Sequence, residues 1–223
     1  DALGISIADV DRVEPLRPPR PRPLSGRIED VGDAISDITL QLASGERLMI
    51  SLKDPNGATF SNNGYSGAFR FVNGQVASSS HQLDSFVEAL GVDKDLAAKG
   101  LNDYVNQHES DPELLEMHSP EFDAATVGRF LGSALGYGYI YARKRSSGEY
   151  SIKHLVSPRD TMSIIGRIAG ITVRYPRWST VGLSSKQVTV VVTTDVGSRF
   201  KVEPRTSKGG HRSLPDEIKI KIL

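Results

Sequence analysis

Between Ser36 and Lys53 the chain alternates apolar and polar residues on both sides of a Ser44-Gly45 turn, with Ile38, Leu40 and Leu42 before it and Leu48, Ile50 and Leu52 after it. A period of two places successive side chains on opposite faces, so this stretch reads as a β-hairpin with one apolar face, and it commits the fold to a sheet. Ser51 and Lys53 then share the face opposite Ile50 and Leu52. Asp37 opens the first strand, and the returning hairpin carries it back toward that pair. Two readings follow. In the plain one, Asp37 caps a strand and Lys53 is a solvated edge lysine; in the chemical one, a carboxylate and an ammonium converge at one strand end.

Helical periodicity fills the middle of the chain. Gln82 to Leu90 stops at Gly91 and carries Leu83, Phe86, Val87 and Leu90 at helical spacing; Asp95 to Gln107 and Ala124 to Leu135 repeat the pattern. These stripes read as core. Ser157-Pro158 opens a further helix through Ile165, because serine caps and proline suits the first turn. Strands return at Tyr137 to Arg143, Tyr150 to Val156, Ile168 to Tyr175, Gln187 to Thr194, Ser198 to Glu203 and Glu217 to Ile222. The expected fold is α+β (mixed α/β): a central mixed sheet with flanking helices and C-terminal β-strands. Residues 1–24 are expected to form a proline- and arginine-rich arm or linker, since closely spaced prolines favour extended polyproline II. Residues 25–223 are expected to form the folded domain, with a helical middle and a β-rich C-terminal part.

A chain of 223 residues can bury a sizeable core, and its 27 Lys and Arg balance its 27 Asp and Glu, so any basic surface must be local. The absence of cysteine excludes disulfides, thiolate zinc sites and thiol nucleophiles. No apolar run approaches the ~20 residues a membrane span needs. Ser51 has no G-x-S-x-G context, which argues against serine nucleophile chemistry. The five histidines show no H-x-x-x-H spacing, and His81 reads as a helix-start or surface residue. The acidic stretch from Glu109 to Glu121 lacks regular ligand spacing and reads as a solvated loop.

Two basic elements stand out. Arg143, Lys144 and Arg145 lead into a hairpin tip behind alternating tyrosines, and Arg205, Lys208 and Arg212 lie in a glycine-containing loop. Cations of this kind meet phosphates and aromatic faces meet bases, so both are candidate nucleic-acid contacts; each also reads as a solvated hairpin tip. The turn-rich run from Asp54 to Gly67 reads as a long loop, either approaching a phosphate backbone or merely connecting.

The D…S-x-K arrangement of Asp37, Ser51 and Lys53 resembles the PD-(D/E)xK (restriction-endonuclease-like) nuclease superfamily in its S-x-K variant. The match covers about Glu29 to Lys53. The resemblance implies a Mg2+-dependent (or Mn2+-dependent) DNA endonuclease in which Asp37 binds metal, Lys53 steadies the attacking water, Ser51 replaces the usual acid, and Glu88 or Asp84 from the next helix completes the metal shell, with Glu29 a further candidate. A hard cation on carboxylates polarises a phosphodiester and activates water, and a lysine beside it offsets developing negative charge. The implied partner is DNA and the implied setting the cytoplasm of a bacterial or phage-infected cell, with no membrane association. The alternatives are a non-catalytic phage virion or assembly protein, a homo-oligomer or virion partner among them, and a DNA-binding module that retains a nuclease-like core.

Overall fold

The computed structural model describes residues 6–15, 22–53, 58–145, 147–206 and 210–223. It is an α+β protein built on two five-stranded sheets. The first comprises β1 (Val10–Pro15), β2 (Ile38–Leu42), β3 (Arg47–Lys53), β7 (Tyr139–Lys144) and β8 (Tyr150–Leu155), in the order β1-β2-β3-β7-β8. The second comprises β4 (Ala58–Asn63), β9 (Ile168–Arg174), β10 (Thr189–Thr194), β11 (Arg199–Arg205) and β12 (Glu217–Ile222), in the order β4-β12-β11-β10-β9. Among the described residues every pairing between these strands is antiparallel except β3 with β7, which is parallel and therefore needs a long crossover. A small hairpin, β5 (Phe69–Val72) and β6 (Gln75–Ser78), completes the strands.

That crossover carries the helices α2 (Asp84–Ala89), α3 (Lys94–Asn106), α4 (Pro112–Leu115) and α5 (Ala124–Leu135); a short α1 (Gly32–Ile35) precedes β2, and α6 (Pro158–Ile165) follows β8. Their ends follow local chemistry. The Asp93 carboxylate accepts from the amides of Asp95 and Leu96 to start α3, and Asp123 does the same with Ala125 and Thr126 at α5. Ser157 caps α6 with Pro158 in its first turn, as expected, and Gly166 at φ +67° ends it. None of the helices among the described residues is long and apolar enough to cross a membrane.

The alternation seen in the sequence decides where the core sits. Val190, Val192, Phe200, Val202, Ile218 and Ile220 turn one face of the second sheet inward, Tyr139, Tyr141 and Leu155 do so for the first, and α2, α3 and α5 supply Phe86, Leu101, Leu131 and Leu135 to the same cluster. The opposite face of the first sheet gathers Ile50, Ile140 and Ala142 with Ile38, Leu40, Leu48 and Ile152, so this sheet is apolar on both sides.

Three segments differ from the sequence expectation. The turn-rich run after Lys53 contains β4, whose ladder with β12 runs from Asn63 against Glu217 to Ala58 against Ile222; a partner distant in sequence overrides weak local propensity there. Residues 54–57 lie outside the described residues. Within the expected N-terminal arm, Val10–Pro15 forms an edge strand on β2 and Leu24 is buried, while residues 16–21, the centre of the proline-rich run, are not described. The β5–β6 hairpin, turned by Asn73 and Gly74 at φ +50° and +82°, was not anticipated.

Candidate functional site

The hairpin register places Asp37 where the sequence suggested. Ile38 pairs with Ile50, so Asp37 lies next to Ser51, and the Asp37 amide donates to the Ile50 carbonyl at 2.8 Å. Its Oδ2 accepts the Leu52 amide at 2.7 Å. Ser51 is fully buried, and its single hydroxyl proton goes to the Ile35 carbonyl at 3.0 Å in preference to Asp37 Oδ2 at 3.5 Å. One of the two carboxylate oxygens is therefore committed to the backbone at the end of the hairpin.

The parallel pairing widens this end. Lys53 aligns with Arg143 on β7 and Ser151 on β8, and Ser51 aligns with Tyr141 and Lys153. Lys53, Arg143 and Lys153 thus stand on one face of three adjacent strands, at the carboxyl ends of β3 and β7. The Lys53 ammonium lies over the Phe60 ring, 5.5 Å from its centre, and Phe60 stacks on Tyr141 at 6.5 Å and 23°. Burial lowers the Lys53 pKa, while the nearby Asp37 carboxylate raises it. Burial pushes the Tyr141 phenol up to about 12, with the Arg143 guanidinium pulling the other way. Among the described residues the buried Tyr141 hydroxyl has the Arg143 guanidinium as its polar neighbour, without a well-formed hydrogen bond. Arg143 Nη1 donates to the Ile222 carbonyl at 3.4 Å, linking the first sheet to β12.

The remaining candidate acids are engaged elsewhere. Asp84 accepts from the His81 amide at 2.8 Å and pairs with the Lys94 ammonium at 2.7 Å. Glu88 lines a separate cleft of 820 Å³ with Arg27 and Arg129. Among the described residues, no three His, Asp or Glu side chains gather as a metal-binding group. A Mg2+ or Mn2+ ion wants about six oxygen donors in an octahedron. The described residues at this strand end offer one carboxylate, with one of its oxygens taken by the Leu52 amide, a buried serine hydroxyl bonded to the Ile35 carbonyl, and flanking cations, a set that does not suit such an ion.

The basic elements are also dispersed. Lys144 and Arg145 stay exposed at the β7–β8 tip. Arg205 is paired with Glu217 at 3.1 Å, at the end of β12 opposite Arg143, and Arg212 lies over the Phe71 ring at 5.8 Å. Lys208 falls outside the described residues. Lys153 was missed by sequence reasoning; its period-two position on β8 marks its face, but only the parallel β3–β7 register aligns it with Ser51. No family model, curated protein or solved structure matches the chain.

Proposed function

We propose that the protein binds nucleic acid through the strand ends of β3, β7 and β8, with Lys53, Arg143 and Lys153 facing phosphates and Lys144 and Arg145 extending the contact at the hairpin tip. The observation that supports this reading is the register that lines up three cations over three adjacent strands at the carboxyl ends of a parallel pair, the end where open mixed sheets take their ligands. Asp37 serves here as a backbone acceptor that orients the end of β3. Phosphate contacts of this kind give affinity with a strong salt dependence and little sequence information. Fluorescence anisotropy of a labelled DNA duplex across a salt series tests the proposal. Lys53→Gln with Lys153→Gln is expected to flatten the slope of log K against log salt by about 2, at about 0.9 per phosphate contact; an unchanged slope refutes it.

A second reading, a Mg2+-dependent DNA endonuclease, follows the PD-(D/E)xK resemblance. It is favoured by the delivery of Asp37 and Lys53 to one strand end, and the single described carboxylate weighs against it. Nicking of supercoiled plasmid in Mg2+ or Mn2+, abolished by both Asp37→Ala and Lys53→Ala, is the result that selects this reading over the first.

A further inference from the structure

The outer face of the second sheet carries a cleft of 410 Å³ whose lining includes Arg174, Arg177, Arg199 and Lys201 and no carboxylate. Its position follows from period two. Val173, Val190, Val192 and Phe200 point into the core, so Thr172 and Arg174 on β9, Thr189 on β10, and Arg199 and Lys201 on β11 point out. Lys201 is already paired with Glu203 at 2.6 Å. Arg174, Arg177 and Arg199 have no ion pair among the described residues.

One wall is a fastened loop. Arg177 and Ser185 exchange both backbone hydrogen bonds, at 2.7 and 2.9 Å, and Arg177 Nε donates to the Leu183 carbonyl at 3.1 Å, which fixes the guanidinium at the mouth. The Glu109 carboxylate accepts from the Ser179 hydroxyl at 2.7 Å and the Thr180 amide at 2.8 Å, and these bonds hold it below the usual carboxylate range. The cations are thus presented by two rigid ladders and a pinned loop.

Their spacing selects the ligand. Arg174 lies beside Thr189 and Arg199 beside Thr193, so the two arginines are two strands apart and four residues apart along the sheet. Strand spacing and rise make that about 16 Å between their Cα atoms. A polynucleotide strand repeats its phosphates along its length and so can meet both arginines at once, about two or three phosphates apart, and Thr172 and Thr189 add hydroxyl donors between them.

We propose that this cleft is a second phosphate-contact surface, gripping the sugar-phosphate backbone of nucleic acid apart from the β3–β7 strand end. It rests on the nucleic-acid reading above. With no aromatic side chain lining it, the cleft offers no stacking platform for bases and engages the strand through its cations and hydroxyls.

The test compares wild type, Arg174→Gln/Arg199→Gln, and Lys53→Gln/Lys153→Gln in the duplex anisotropy assay, with circular dichroism and melting curves to check folding. The arginine double variant is expected to melt like wild type and to flatten the salt slope by about 2, and Arg174→Lys/Arg199→Lys to restore it. An unchanged slope in the arginine variant overturns the cleft, and leaves the strand-end reading standing if the lysine variant loses slope. Failure of the wild-type protein to bind duplex overturns both. Binding to phosphatidylserine vesicles but not to duplex, lost in the arginine variant, overturns nucleic acid as the ligand.

Discussion

Replacing Asp37 with alanine tests whether its carboxylate holds the strand end or waits for a ligand. In the structure its Oδ2 takes the Leu52 amide at 2.7 Å. A hydrogen bond to a charged group contributes about 1.5–3 kcal/mol. Leu52 is 41% exposed, so water can replace part of that bond, and the expected loss is about 1–2 kcal/mol. For a chain of this length each kcal/mol moves the melting midpoint by about 2–4 °C, so Asp37→Ala is expected to melt about 2–8 °C below wild type. Asp37→Asn keeps the acceptor without the charge and is expected to lose about half as much. Removing the anion also leaves the neighbouring cations uncompensated, so both variants are expected to bind duplex DNA about twofold more tightly at low salt, the scale of one partly screened charge pair. Calorimetry and anisotropy read the two effects. An Asp37→Ala protein that melts with wild type and binds DNA no better would refute the structural role. Loss of a Mg2+-dependent activity in the same variant would assign the carboxylate to catalysis.

Glu203 is 2% exposed between the ammonium groups of Lys201 at 2.6 Å and Lys221 at 3.5 Å. Glu203→Gln is expected to cost about 2 kcal/mol by denaturant titration, below the usual 3–5 for a broken buried pair because both lysines retain water contact; it also releases Lys201 toward the cleft, steepening the salt dependence of DNA binding. Gly100→Ala drives a methyl group into the Pro176 carbonyl oxygen, a backbone atom that cannot yield, so overpacking of about 1–3 kcal/mol should outweigh the gain in helix propensity of about 1 kcal/mol, read as a lower melting midpoint. Tyr141 keeps its proton in the folded state to about 12 against about 10 when unfolded, so it stabilises the fold below about pH 10 and that contribution is lost as pH climbs to about 12. Tyr141→Phe, which deletes a buried hydroxyl that makes no well-formed hydrogen bond among the described residues, is expected to be at least as stable as wild type at neutral pH and to flatten the alkaline decline in denaturation midpoints.

Elements set by local chemistry were legible in the sequence. The bounds of α5, α6 and β12 agree with the apolar stripe, the Ser157-Pro158 cap and the alternation that announced them, and the hairpin correctly set Asp37 beside Ser51. The Asn73-Gly74 turn of β5–β6 is a strong two-residue hairpin signal that went unread. β4 was not legible, because a run dense in Asn, Ser and Gly becomes a strand only against β12. The same limit governs the sites. A short turn brings Asp37 and Lys53 to one strand end, but the alignment of Lys53 with Arg143 depends on a parallel pairing made across the whole helical middle. Arg174 and Arg199 look like unrelated solvent-facing residues until two strand registers gather them into one cleft. Asp84 and Glu88 are near the hairpin in sequence only, since the α2 helix that carries them packs its apolar side on α5.

β4 leaves the hairpin strand β3 and enters the opposite sheet, and the chain returns to the first sheet at β7 only after the helices. The two sheets are therefore interleaved like pages of one folded leaf. A protease that nicks a connecting loop should yield a clipped molecule whose pieces still co-purify, and recombination has no single crossover point at which to transplant either sheet as an intact module.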